Sequence, residues 1–382
     1  MDPLKTTKFS HEDRDDLNNN RGVEAIDPAV DGNVLRLCGG LGSPYTFKMM
    51  MYLRYRRIPF RFIVMHQAEE RGTKHAKGPV LLPKLLWPDG SVMNDSTFLI
   101  RKLEADYPGT RSTYPPSATH GALRFLCHLL EDFGDEWLTK SMYHYRWVHD
   151  PGFAGRGIAY HSIGPNGKES KIHQVARSVE ARQVDRLKVV GSNALTGPSI
   201  EAFFRNFVTL LDAHLAAGNR FLLGSRPSSA DFAVLGQLHP MITMDPATSM
   251  FVKQLSPRVS AWYQTSLFLS GYSVMDEGKG WVDVSKGLPP TLHTIFQLVG
   301  RFYVPFMLPN GKAYAGGKKE FTCTVDSGRV LWSQPTFRYQ YKCLRWIRDS
   351  YNDLGRNDLN EVRKILRGTE ILPLFEEARG RL

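Results

Sequence analysis

The sequence of 382 residues predicts a small α+β domain followed by an all-helical domain, with an appended helix–hairpin–helix region at its C-terminal end. Short apolar runs separated by glycine and proline turns occupy 34–93, which is typical of strands. Beyond about residue 120 the apolar residues recur at steps of three and four, which is typical of buried helix faces. Near residue 326 two further apolar runs flank an Asp-Ser-Gly turn, which predicts a hairpin. The predicted regions are a polar tail 1–32, the α+β domain 33–108, the helical domain 113–275 and the appended region 276–382.

The α+β domain begins with a strand over Val34–Cys38 and a glycine-rich turn. A helix is predicted over Tyr45–Arg57, because the preceding Ser-Pro pair suits a helix start, where the missing proline N–H has no partner. A second strand over Phe60–Met65 would then pair in parallel with the first. Ser43 would lie at the N-terminus of the helix, beside free amides and the positive end of the helix dipole. An anion is stabilised at such a position.

An apolar run interrupted by a proline follows, with Leu82-Pro83 at its start. Proline argues against a central strand, but a cis Leu82–Pro83 bond at the start of a strand accounts for the pattern. Such a bond would leave the Leu82 backbone free for a ligand. Leu85–Trp87 and Ser91–Met93 then form a hairpin across a Pro-Asp-Gly turn.

Asp95 and Ser96 come at the opening of the next predicted helix, which extends to Ala105. Side-chain oxygens and free backbone donors at a helix start can hold an amino-acid head group. We therefore predict a ligand-binding role for this pair.

The helical domain shows several buried helix faces and one irregular stretch. Ser228 and Asp231 have the spacing of a capping box, which predicts a helix start there. The glycines and prolines of His149–Gly167 predict a loop or lid. The other predicted helices of this domain and of the appended region are about 122–137, 170–190, 201–217, 256–267, 291–307 and 337–351.

Taken together, these motifs resemble those of the cytosolic glutathione transferases. Segment 33–108 is similar to the thioredoxin-like N-terminal domain of that family, and Phe221–Phe232 is similar to its motif opening a central helix of the C-terminal domain. The resemblance implies a transferase of the serine type that attaches glutathione to a small electrophile, as in detoxification. Asp95 departs from the family pattern, in which Glu is common.

The resemblance also implies roles for individual residues. Ser43 would donate a hydrogen bond to the glutathione sulfur and favour the thiolate. Leu82 and Pro83 would pair with the cysteinyl part, Asp95 and Ser96 would hold the γ-glutamyl end, and Lys77 is the predicted partner of the glycyl carboxylate, with Lys74 and His75 as alternatives. Tyr45 is an alternative donor to the sulfur, but it lies one step inside the helix and is expected to pack.

The predicted electrophile site is the aromatic and basic stretch that follows the first long helix. It contains Tyr143, His144, Arg146 and Trp147. Aromatic rings beside a cation can hold a planar or anionic substrate. The same pattern also fits an aromatic helix face at a domain junction, and the sequence leaves both interpretations open.

Ser-Pro-Tyr-Thr at 43–46 also resembles the Cys-Pro-Tyr-Cys of glutaredoxins with both cysteines replaced. Disulfide exchange needs an attacking protein thiolate. Cys38 lies within the predicted strand and is expected to be buried and inert. The sequence therefore argues against thiol reductase activity.

Composition narrows the classes of function. The net charge is +11, but no nucleic-acid-binding module pattern occurs, and the basic cluster Arg54–Arg57 lies at a predicted helix end, where the dipole favours cations. The chain contains four scattered cysteines without metal-ligand spacing and no apolar stretch of membrane-spanning length. We expect no metal, no nucleic acid, no membrane span and a cytoplasmic location, where glutathione is abundant.

Two functions remain open. The first is a glutathione transferase acting on a small electrophile, which the resemblance implies to be a homodimer. The second is a noncatalytic module of the same fold within a larger assembly, with the appended region as a docking surface.

Overall fold

The computed structural model describes residues 34–64, 81–274, 276 and 278–376. Its first region is a four-stranded mixed sheet with two helices. The elements in chain order are β1 (Leu35–Gly39), α1 (Pro44–Arg56), β2 (Phe60–Val64), β3 (Lys84–Leu86), β4 (Val92–Asn94) and α2 (Ser96–Asp106). The strand order is β2-β1-β3-β4, with β1 and β2 parallel and the other pairs antiparallel. This is the predicted thioredoxin-like arrangement.

Strand β1 lies between β2 and β3 and is fully buried. All of its residues are buried, including Leu35 and Leu37. Leu37 lies opposite Phe62 on one side and Leu85 on the other. Helix α1 ends where Arg57 adopts a left-handed conformation with φ 56°, which turns the chain toward β2.

The second region is helical. Its elements are α3 (Ser117–Phe133), a π-helical turn (Gly134–Leu138), α4 (Thr139–His144), a second π-helical turn (Tyr145–His149), α5 (Pro151–Ile163), α6 (Glu169–Asp185), a 3-10 turn (Arg186–Val190), α7 (Gly197–Ala216), α8 (Ser229–Thr243), α9 (Pro246–Leu255) and α10 (Pro257–Ser266). The loop predicted over His149–Gly167 is wrong, because most of it is helix α5. Helix α9 was not predicted.

Helix α8 forms the centre of the helical region, and all of its residues except the last, Thr243, are buried. The predicted capping box is present, with Ser228 Oγ accepting from the Asp231 backbone and the Asp231 side chain accepting from the Ser228 backbone. Gly236 lets α8 lie close to α1, since a Cβ there would come within 2.8 Å of Pro44 O. Helix α8 therefore supports the start of α1 directly.

The appended region packs on the helical region. It consists of α11 (Pro290–Ala315), the hairpin β5 (Glu320–Val325) and β6 (Val330–Pro335), α12 (Arg338–Asn352), α13 (Arg356–Ile365) and α14 (Pro373–Glu376). The predicted helix–hairpin–helix is confirmed, whereas α13 and α14 were not predicted. Asp358 accepts a hydrogen bond from Ala122 N at 3.0 Å, and Tyr351 packs edge-on against Phe125. Helices α12 and α13 thus cover one face of α3.

No helix among the described residues combines the length and the apolar character needed to cross a membrane.

Candidate functional site

Ser43 lies in the turn between β1 and α1. Its backbone N–H donates to Gly40 O at 3.0 Å, which closes the turn. Its hydroxyl oxygen accepts a hydrogen bond from Thr46 N at 3.3 Å, so the hydroxyl caps α1. Within the described ranges the hydroxyl hydrogen has no protein acceptor, and the side chain is partly exposed. It can therefore donate to a ligand placed at the positive end of α1.

Two side chains of the helical region hold the turn that precedes Ser43. Arg146 Nη1 donates to Gly42 O at 2.9 Å, and its Nε lies 2.9 and 3.0 Å from the two carboxylate oxygens of Asp245. His239 Nε2 lies 2.8 Å from Leu41 O and donates to it, because a carbonyl oxygen only accepts. Burial lowers the pKa of His239 to about 3, so the ring is neutral. The carbonyl groups of the two residues that precede Ser43 are thereby fixed.

The Leu82–Pro83 peptide bond is cis, as predicted. In the described part of the chain, the Leu82 backbone N–H and C=O have no hydrogen-bond partner. A Cβ added at Gly40 would lie 3.4 Å from Leu82 Cδ1 and 3.9 Å from Ser43 Cβ. Leu82 and Ser43 are therefore brought to the same place, with free backbone groups beside a free hydroxyl.

Asp95 and Ser96 lie at the start of α2, as predicted. Asp95 has φ 75°, a conformation that costs about 1–3 kcal/mol for a residue other than glycine and that is found often at functional sites. One of its carboxylate oxygens caps α2 by accepting from Phe98 N at 3.4 Å. The other lies 4.0 Å from Nζ of Lys342 on α12. The appended region therefore places a cation at the predicted γ-glutamyl site.

A buried ionic cluster fixes α1 and α2 against α3. Lys48 Nζ lies 2.7 Å from Glu131 Oε1, 2.6 Å from Asp135 Oδ2 and 3.2 Å from Thr97 Oγ1. Burial lowers the pKa of Lys48, but the two carboxylates outweigh this effect and hold its pKa above the usual value. Tyr45 donates to Asp135 O at 2.9 Å, so it packs against the helical region as expected.

The four residues of the predicted electrophile site do not face one common space. Arg146 reaches the Ser43 turn. Tyr143 donates to Gln183 Oε1 at 2.7 Å on α6, and His144 faces the start of α7. Trp147 is buried beside Tyr143. The structure thus brings only Arg146 of this set to the turn.

Two further predictions concern the sheet region. Lys77, with its alternatives Lys74 and His75, lies outside the described residues. Cys38 is buried opposite Lys84, and burial raises the pKa of its thiol to about 11. The expectation that Cys38 is buried and unreactive agrees with this position.

Comparison with known families supplies independent information on both regions. The family described as "Glutathione S-transferase, N-terminal domain" matches residues 37–111, and "Glutathione S-transferase, C-terminal domain" matches residues 199–265. Residues 37–111 and 199–265 are thus similar to the two domains of the glutathione S-transferases. No curated protein matches the chain.

Several solved structures also match the chain at low identity. An enzyme from Rhodospirillum rubrum is 16% identical with a TM-score of 0.36, and the match covers 63% of this chain and 94% of that one. Rice GST1, crystallised in complex with glutathione, is 16% identical with a TM-score of 0.34 over 64% and 93%. The beta-etherase LigF from a Sphingobium species is 13% identical with a TM-score of 0.37 over 69% and 99%.

Sequence reasoning missed three residues around this candidate site. Lys342 belongs to no motif, and its contact with Asp95 joins two segments that lie far apart in the sequence. His239 and Asp245, which hold the Ser43 turn directly or through Arg146, carry no motif. A histidine inside the apolar run of α8 was the one available signal, since a buried imidazole requires a partner.

Proposed function

We propose that the chain binds glutathione and that Ser43 activates the glutathione thiol for attack on a small electrophile. The observation that carries this proposal is the Ser43 hydroxyl. Its oxygen accepts a hydrogen bond from Thr46 N, and its hydrogen is left to donate to a ligand. The thiol loses its proton to solvent, and the resulting thiolate accepts the Ser43 hydrogen bond at the N-terminus of α1.

In this proposal the γ-glutamyl end of glutathione binds between Asp95, Ser96 and Lys342. That end is a zwitterion, with an ammonium and a carboxylate on one carbon. The Asp95 carboxylate would accept from the ammonium, and the Lys342 ammonium and the Ser96 hydroxyl would donate to the carboxylate. The opposite charges of Asp95 and Lys342, 4.0 Å apart, match the zwitterion in sign and in spacing. Lys77 remains our proposal for the glycyl carboxylate.

Of the four residues predicted for the electrophile, we propose Arg146 alone, because Tyr143, His144 and Trp147 do not reach the Ser43 turn. Its guanidinium reaches the turn of Ser43 and is held by Asp245, so it is a positioning residue for the thiolate as well.

The alternative function, a noncatalytic module of this fold, is favoured by the same contact between Lys342 and Asp95. In that case the ion pair between Lys342 and Asp95 occupies the γ-glutamyl position and prevents glutathione from binding. The appended region would then serve as a docking surface. The two functions predict opposite effects of removing the cation.

The decisive experiment is calorimetric titration of glutathione into the full chain and into Lys342→Ala and Lys342→Arg. Our proposal requires binding to the wild type, weaker binding to Lys342→Ala and near-normal binding to Lys342→Arg. Absence of binding to the wild type, or tighter binding to Lys342→Ala, would support the noncatalytic module instead. Cysteinylglycine, which lacks the γ-glutamyl group, is the control ligand, and its affinity should not respond to Lys342.

We also propose a homodimer. Because α12 and α13 cover one face of α3, the second subunit would have to bind elsewhere. Sedimentation of the full chain measures the stoichiometry, and a monomer at all concentrations would contradict this part of the proposal.

A further inference from the structure

Three side chains with metal-binding atoms converge where the second π-helical turn meets the start of α7. His144 ends α4, His149 ends the π-helical turn, and Glu201 lies in the first turns of α7. Glu201 Oε1 lies 3.2 Å from His144 Nε2 and 2.8 Å from His149 Nε2, and the three ligand atoms lie within 4.8 Å of one another. The side chains come from separate elements, yet their polar atoms point to one place.

We propose that His144, His149 and Glu201 bind a zinc ion, with a water molecule as the fourth ligand. Two imidazoles and one carboxylate are a common zinc ligand set. At typical Zn–N and Zn–O distances, the ligand atoms of a tetrahedral site lie about 3.3 Å apart. The observed distances of 3.2 and 2.8 Å to Glu201 need an adjustment of about half an ångström or less. Two imidazoles also make the site unsuitable for Mg²⁺ and Ca²⁺, which prefer oxygen ligands.

The surroundings of His144 support a metal ligand at this position. Ser192 Oγ lies 2.8 Å from His144 Nδ1, and both side chains are buried. When Nε2 binds the metal, Nδ1 carries the hydrogen and donates to the Ser192 oxygen, which fixes the orientation of the ring. Gly197 provides the space for the imidazole, since a Cβ there would lie 3.0 Å from His144 Cε1.

The site is also accessible. The side chains of His149 and Glu201 are 38% and 41% exposed, which gives zinc and a water ligand a path to the site.

This site shares no residue with the proposed glutathione-binding site. His144 and His149 are five positions apart, and His149 and Glu201 are 52 positions apart. This spacing matches no metal motif, which is why the sequence indicated no metal. Bound zinc would join the π-helical turn to α7, and the proposal does not depend on glutathione binding.

The test is calorimetric titration of Zn²⁺ into the full-length chain in buffer free of glutathione and chelators, with Mg²⁺ as a second titrant. We expect one zinc per chain and no heat from Mg²⁺. His149→Ala and Glu201→Gln change exposed side chains, so they should fold normally, which circular dichroism checks. Each should weaken zinc binding by more than the roughly 10–100-fold typical of losing an outer-shell partner, and Ser192→Ala should fall within that range. Co²⁺ should give the absorption bands of a tetrahedral complex, and these should vanish in Glu201→Gln.

The matched control is His173, which lies 3.0 Å from Glu169 in an exposed pair on α6 without a second histidine. His173→Ala should leave zinc binding unchanged. Absence of stoichiometric zinc binding in the wild type would overturn the proposal. Equal affinity in the wild type, His149→Ala and Glu201→Gln would overturn it as well, because the metal would then bind elsewhere.

Discussion

Replacing Ser43 by Ala should raise the pKa of the bound glutathione thiol while leaving the fold nearly intact. A hydrogen bond to a charged group contributes about 1.5–3 kcal/mol. One pKa unit corresponds to about 1.4 kcal/mol, so the thiol pKa should rise by about 1–2 units in Ser43→Ala. If the thiolate attack limits turnover, the rate should fall by about 10²–10³-fold.

The same substitution has a smaller structural cost, which the experiment must separate. Ser43 Oγ caps α1 through Thr46 N at 3.3 Å, and losing an N-cap costs about 1 kcal/mol. In a chain of this size that corresponds to a decrease in melting temperature of no more than about 2–4 °C. Ser43→Thr keeps both the hydroxyl and the cap, so it should retain the wild-type thiol pKa.

The assay is a pH titration of the ultraviolet thiolate absorbance of glutathione bound to the wild type, Ser43→Ala and Ser43→Thr. Each variant is measured at saturating glutathione, so that binding and ionisation are separated. A thiol pKa that is the same in Ser43→Ala and in the wild type, with glutathione bound to both, would refute the role of Ser43. Absence of bound glutathione in the wild type would refute the proposed function itself.

Three other predictions follow from buried or partly buried charges. Lys342→Ala should weaken glutathione binding about tenfold, the lower end of the range for a hydrogen bond to a charged group, because Lys342 is 18% exposed. Asp231→Ala should lower the free energy of unfolding by about 2–6 kcal/mol, because two buried backbone N–H groups lose their acceptor at roughly 1–3 kcal/mol each. Burial raises the pKa of Asp132 to about 7, so this carboxyl holds its proton in the folded chain and loses it at about 4 when unfolded. Its contribution to stability is complete below pH 4 and is lost as the pH rises to 7, and Asp132→Asn should remove that loss.

The two stability predictions, for Asp231 and Asp132, have separate measurements and controls. Chemical denaturation measures Asp231→Ala, and Asp231→Asn, which keeps one acceptor oxygen, should cost less; equal stability of Asp231→Ala and wild type would contradict the role of the capping box. Melting temperatures between pH 5 and 8 test the prediction for Asp132. A carboxyl oxygen of Asp132 accepts a hydrogen bond from Tyr303 on α11, and the group lies near Cys343 on α12 and near Glu131 and Asp135. A slope with pH that is unchanged in Asp132→Asn would contradict the assignment.

Local sequence signals predicted most of the sheet region and the start of helix α8. The Ser-Pro helix start, the cis Leu82–Pro83 bond and the capping box at Ser228 and Asp231 each depend on residues within four positions of one another. Interactions between residues close in sequence determine such features, so they can be predicted without knowledge of tertiary contacts.

The failures have a different physical origin. Helix α5 was assigned as a loop because of its glycines, but Gly155 serves close helix packing, since a Cβ there would lie 2.9 Å from Ala176 O. The contact of Lys342 with Asp95 and that of His239 with Leu41 join distant segments, and no local pattern encodes them. The positions of Ser43, Leu82 and Asp95 in the fold were therefore predictable from the sequence, whereas the contacts that Lys342 and His239 make were not.

The attachment of the Ser43 turn to Arg146 and His239 limits how this protein can be divided. A fragment that ends near residue 108 would keep the serine but lose both donors to the Leu41 and Gly42 carbonyls. Grafting the sheet region onto another helical partner would reproduce the hydroxyl's position only if that partner supplied equivalent cationic and imidazole donors. Any chimaera built from this chain should accordingly exchange both regions as one unit.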